Sequence, residues 1–155
     1  MDGMRGYWNG QQMISRQGNR ISCPEWFVEQ LPKGMALDGE LWLGRRKFES
    51  IQSVINCSKG EASMWKQIKY IIFDLPGSHD SYESRMEILR RTPLPSFAFP
   101  IQIEKCKGNQ HLLEKLEVIV EQGGEGLMVT KPGSVYTKAR VSTLLKIKVH
   151  ISILS

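Results

Sequence analysis

Apolar and polar positions change period several times along the chain, marking short strands interleaved with short helices. Residues 4–8 and 12–16 flank Asn9-Gly10, a pair that tolerates positive φ and predicts a β-hairpin with a type I′ turn. Ser22 and Pro24 suit the cap and first turn of a short helix over 24–30. Residues 35–43 read as a strand, and Phe48, Ile51, Val54 and Ile55 recur at helical spacing. Residues 69–75 form a dense apolar run that stops at Pro76-Gly77, the pattern of a buried strand. A helix over 81–91 and a strand over 98–105 follow. Leu112, Leu113, Leu116, Ile119 and Val120 mark the clearest amphipathic helix, with Gly123 placed to end it. Strands over 126–130 and 144–149 close the chain. The expected class is α+β: antiparallel sheets with helices packed outside.

Composition narrows the function. The chain has 155 residues (17.7 kDa), room for one domain with one core. With 41% hydrophobic and 24% charged residues, it is an ordinary globular sequence rather than a disordered or fibrous one. No apolar run approaches the roughly 20 residues of a membrane helix, and Met1 to Arg5 lacks the apolar core of a signal peptide. The expected location is therefore intracellular, without membrane association. Three cysteines (Cys23, Cys57, Cys106) without a CxxC pair argue against a disulfide scaffold or zinc site. The net charge of +5 is uneven: from Gly126 onward there are no acidic residues, but Lys131, Lys138, Arg140, Lys146 and Lys148 are present. That imbalance suits a polyanionic partner.

Four polar sites interrupt apolar strands. They are Asp38-Gly39-Glu40, Phe73-Asp74, Glu125-Gly126, and the pair Lys146 and Lys148 around Ile147. The side-chain period of a strand is two, so Lys146 and Lys148 share a face and need an anion to compensate them. Carboxylates at Glu40 and Glu125 suit a divalent cation, and the lysines suit phosphates, which together describe a nucleotide–metal site. Taken singly, each feature has a structural explanation: a turn at Asp38-Gly39, a solvated loop end at Glu125, a guarded edge strand at the lysines, a core aromatic at Phe73.

Their order resembles the covalent nucleotidyltransferase superfamily of ATP-dependent DNA ligases and mRNA capping enzymes. Met1-Asp2-Gly3-Met4-Arg5 matches the last five positions of the family's Lys-x-Asp-Gly-x-Arg motif. Ser15-Arg16-Gln17-Gly18, Asp38-Gly39-Glu40, Tyr70-Ile71-Ile72-Phe73-Asp74, Glu125-Gly126-Leu127-Met128-Val129 and Leu145-Lys146-Ile147-Lys148 resemble the motifs that follow. The text around Arg5 to Gly10 and Ser15 to Gly18 is most similar to the minimal ATP-dependent ligases of bacterial type.

The resemblance implies an adenylation (nucleotidyltransferase, ATP-grasp-like) domain over 1–148, with antiparallel sheets and helices around a nucleotide cleft. In this register the nucleophilic lysine and the strands around it precede Met1. Residues 149–155 form a short tail with no OB-fold. The expectation is thus an incomplete domain, inactive as written. The implied cofactors are ATP with Mg2+ or Mn2+, and the implied partner is nicked double-stranded DNA in repair, replication or recombination. Phe73 would stack on adenine, and Glu40 would contact the ribose and help the metal. Glu125 would bind the metal, Lys146 and Lys148 the α-phosphate, and Arg5 and Arg16 the ribose and nucleic-acid phosphates. The alternatives are an RNA ligase or capping guanylyltransferase relative, and a non-catalytic nucleotide- or DNA-binding module.

Overall fold

A computed structural model describes residues 3–56, 62–139 and 141–148. Met1 and Asp2 of the first motif, Cys57, Arg140, His150 and the tail over 149–155 lie outside the described residues. Five strands form one sheet: β1 (Met4–Trp8), β2 (Met13–Ser15), β3 (Leu37–Trp42), β4 (Lys69–Asp74) and β5 (Ala98–Pro100). Their order is β2-β1-β3-β4-β5. The two faces separate by strict alternation. Trp8, Leu37, Leu41, Tyr70 and Ile72 are fully buried on one face. Four helices cover that face: α1 (Glu25–Glu29), α2 (Phe48–Asn56), α3 (Ala62–Trp65) and α4 (Tyr82–Arg91). They contribute Phe27, Ile51, Trp65 and Leu89 to the core. Phe27 stacks on Phe97 at 4.3 Å between ring centres and meets Trp65 edge-on at 5.0 Å. Each of these large side chains contributes about 1.5–3 kcal/mol by leaving water.

Asp38-Gly39 is not a turn. It sits mid-strand in β3, where a bulge against β4 falls between the two residues. A Cβ on Gly39 would lie 2.6 Å from the Ile71 carbonyl and 2.6 Å from the Tyr70 ring, so only glycine lets the strands approach here. The Tyr70 hydroxyl uses that closeness to donate to the carbonyls of Gly6 (2.9 Å) and Leu37 (3.1 Å).

Several local expectations change. The β1–β2 hairpin forms, with Trp8 opposite Met13, but its loop spans residues 9–12. Gly10 has φ +93°, whereas Asn9 does not enter the positive region, so the turn is not type I′. Instead the Asn9 carboxamide oxygen accepts from the amides of Gln11 (2.9 Å) and Gln12 (2.8 Å). Ser22 does not cap α1, which starts after Pro24 with no side-chain cap, while Ser81 caps α4 by accepting from Ser84. The strand expected over 98–105 ends at Pro100 and runs parallel to β4, with α4 as the crossover. The short helix α3 had no sequence signal of its own.

The remaining elements are α5 (Asn109–Glu121), β6 (Gly126–Thr130) and β7 (Leu144–Lys148). β6 and β7 pair antiparallel as a separate two-stranded sheet, with Gly126 opposite Lys148 and Met128 opposite Lys146. Gly126 has φ +154°, and a Cβ there would lie 2.0 Å from the Ile147 carbonyl, so β6 can begin at this point only with glycine. Only Leu116 of the α5 stripe is buried, and Leu113 is exposed. Among the described residues, no helix is long and apolar enough to cross a membrane.

Candidate functional site

The second face of the main sheet carries the polar residues. Arg5 stands opposite Glu40 and Tyr7 opposite Asp38 across β1–β3, and Glu40 stands opposite Ile71 across β3–β4. Cross-strand partners share a face, and Phe73 joins it two residues beyond Ile71. Asp38 is completely buried. It accepts both prongs of the Arg5 guanidinium, the Nε at 2.9 Å, and the Tyr136 hydroxyl at 2.8 Å. A buried carboxylate needs such compensation. The bond from Asp38 raises the Arg5 pKa further above its already high value. Burial, then Asp38, pushes the Tyr136 phenol up, so it remains a donor. The Arg5 guanidinium lies 5.8 Å from the centre of the Phe73 ring, so the aromatic wall and the charged wall meet.

A second cluster rests on β6–β7. Lys146 and Lys148, on one face of β7, both reach Glu125 Oε2, at 2.7 and 3.0 Å. Lys146 first and Lys148 second hold the Glu125 carboxyl far below its usual range, at about 2. Lys146 is shifted up, mainly by Glu125, and it also feels the charge of Glu40. Glu40 accepts from the Gly3 amide at 2.7 Å. Lys146 is thus close enough to Glu40 to feel its charge, with Glu40 on the sheet and Glu125 on the hairpin.

Arg5, Glu40 and Phe73 share the sheet face, Glu125, Lys146 and Lys148 form the hairpin cluster, and the interaction between Lys146 and Glu40 links the two groups. Arg16 joins neither group: it follows β2, is exposed, and makes no hydrogen bond or ion pair among the described residues. Sequence reasoning missed two residues that build the region, Tyr136 and Arg85, and named Asp38 in a motif without assigning it a role. Arg85 is 1% exposed and pairs with Asp74 at the end of β4. Its signal was present, since Arg85 occupies the stripe shared with Met86 and Leu89, where a cation requires a buried partner. Asp38 and Tyr136 lie 98 positions apart, beyond any local pattern.

Among the described residues no group of three or more His, Cys, Asp and Glu gathers, so there is no all-protein metal cage. Two carboxylates, Glu40 and Glu125, suit a hard divalent cation that takes its other ligands from water and phosphate. The donor set thus fits magnesium carried with a nucleotide. Burial pushes the Cys23 thiol up to about 12, which removes it as a nucleophile.

Comparison with known proteins gives the family. Residues 3–148 match the family described as ATP dependent DNA ligase domain. A DNA ligase of Haemophilus influenzae is 35% identical over 151 residues, covering 96% of this chain and 55% of that protein. A solved structure from a structure–function analysis of Lig E DNA ligases superposes with TM-score 0.87 at 31% identity, over 96% of this chain and 59% of that one. A chain named Pmar-Lig_PreS3 superposes with TM-score 0.78 at 20% identity, over 41% of its length, a likeness of fold. This chain thus spans only part of these relatives, 55% of the Haemophilus influenzae protein and 59% of the Lig E structure's chain.

Proposed function

This chain belongs to the ATP-dependent DNA ligase domain family, and from that premise we propose that its cleft binds ATP for adenylate transfer to nicked double-stranded DNA. The observation that supports the reading is the Glu125–Lys146–Lys148 cluster, whose Lys146 feels the charge of Glu40 on the face that carries Arg5 and Phe73, from elements far apart in sequence. Phe73 stacks on adenine. Glu40 and Arg5 contact the ribose, which requires Arg5 to share its guanidinium with Asp38. Lys146 and Lys148 leave Glu125 for the α-phosphate, an exchange of one anion for another at little electrostatic cost. Glu40 and Glu125 would hold Mg2+ or Mn2+. When bound, the metal supplies charge neutralisation on phosphoryl oxygens.

Neither cleft lysine is the attacking group. Both ammonium groups are held as anion partners, at 2.7 and 3.0 Å from Glu125 in the empty site, and exchange that carboxylate for phosphate. Lys146 and Lys148 therefore bind, and attack on the α-phosphate, which breaks the α–β phosphoanhydride bond and releases pyrophosphate, belongs to the family's motif lysine. The adenylate then passes to the 5′-phosphate of a nick, and the 3′-hydroxyl displaces AMP. The exposed Arg16 and the acid-free segment after Gly126 face the phosphates of the duplex. Competition between ATP and GTP for the cleft tests the reading. ATP displaces a fluorescent adenine nucleotide at lower concentration than GTP; equal displacement would favour a capping-type relative.

A further inference from the structure

The β6–β7 hairpin carries Glu125, Lys146 and Lys148, yet it is not hydrogen-bonded into the main sheet. A two-stranded sheet is marginal alone, so its place over the cleft depends on a few ties. Two of them converge on consecutive backbone groups of the loop after β6. Arg85 Nη1 donates to the Ser134 carbonyl at 2.8 Å, and the Gly133 amide donates to Glu83, at 3.0 Å to the nearer oxygen. Arg85 also donates to Asp74 at 2.6 and 3.1 Å and to the Asp80 carbonyl at 2.6 Å. Asp74 follows Phe73 directly, and Ser134 stands two residues before Tyr136, which donates to Asp38. One guanidinium thus joins the end of the Phe73 strand to the loop that delivers Tyr136. Only the planar fork of arginine serves a carboxylate and two carbonyls at once; a lysine ammonium does not match that geometry.

We infer that Arg85 and Glu83 are positioning residues for the nucleotide site, pinning the β6–β7 loop so that the phosphate-binding face stays over the sheet. Arg85 is buried with Asp74, Asp80 and Ser134 as its partners, and Glu83 holds the Gly133 amide, so both act through the loop. This rests on the ATP reading above, and the experiment separates the two.

ATP with magnesium is titrated calorimetrically into the unaltered full chain and into Glu83→Ala, Arg85→Lys and Tyr136→Phe. Hydrogen exchange is followed at residues 131–136. Glu83 is solvent-accessible, so its variant is expected to melt with the unaltered chain, which keeps the inference testable where an Arg85 variant fails to fold. The expected result is roughly fivefold weaker ATP binding for Glu83→Ala, with faster exchange across 131–136, and a larger loss for Arg85→Lys. Glu83→Ala combined with Tyr136→Phe should lose less than the product of the single effects, because both act through one loop. ATP affinity unchanged in Glu83→Ala and in a folded Arg85→Lys, or unchanged exchange across the loop, would overturn the inference alone. No ATP binding by the folded, unaltered chain would overturn the nucleotide reading, and this inference with it.

Discussion

Replacing Glu125 by Gln removes the carboxylate that holds Lys146 at 2.7 Å and Lys148 at 3.0 Å. All three side chains are about half exposed, between 45% and 54%, so solvent screens the pairs strongly. The stability cost is about 1 kcal/mol or less. The effect on ligand is larger in kind, because Glu125 competes with phosphate for both lysines. Without metal, nucleotide must displace a carboxylate and approach a negative group. Removing that group should tighten metal-free ATP binding by about 1 kcal/mol, roughly fivefold in Kd. With magnesium the sign reverses, since the same carboxylate is a proposed ligand, and Glu125→Gln should bind ATP several-fold more weakly. Calorimetric titration in chelator and in excess magnesium measures both arms. Weaker binding in both conditions, or no change in either, would refute the view that Glu125 serves lysine and metal in turn.

The same carboxylate predicts a pH dependence. The Glu125 pKa is lowered from 4.5 to about 2, so its contribution is fully present above pH 4.5 and lost as pH falls toward 2. After discounting for exposure it is about 1 kcal/mol or less, so the melting difference between the unaltered chain and Glu125→Gln should vanish near pH 2. Asp38→Asn should cost about 2 kcal/mol in urea unfolding: less than a fully buried pair, because the Arg5 side chain is 43% exposed. Phe73→Ala should weaken ATP binding roughly tenfold while leaving the sign of the magnesium effect intact, as loss of one stacking platform.

The strands were legible because their faces differ: β3 alternates Leu37, Gly39 and Leu41 inward with Asp38 and Glu40 on the other face. The Lys146–Lys148 pair was legible for the same reason. The β1–β2 turn type was not, because Asn9 works through its side chain rather than its backbone conformation. The strand after Phe97 was drawn too long, since exposed residues 102–105 alternate without a partner strand among the described residues. The inner frame of the site, Arg5–Asp38–Tyr136 and Asp74–Arg85–Ser134, stayed hidden. Each of its links except Asp74–Arg85 joins residues more than 30 positions apart, and no periodicity reports such pairs. Arg85 is the instructive case: its helical position declared it buried, but only the fold supplies Asp74 and the Ser134 carbonyl.

The central claim is that the hairpin lysines and the sheet face form one nucleotide site. The direct measurement is the affinity of the full chain for ATP with magnesium after Lys146→Ala, against Lys66→Ala at an exposed position just after α3. The account predicts a loss of roughly tenfold to hundredfold for Lys146→Ala, from one charge-assisted bond to phosphate, and no change for Lys66→Ala. Equal affinity in both variants, with both folded, would contradict it.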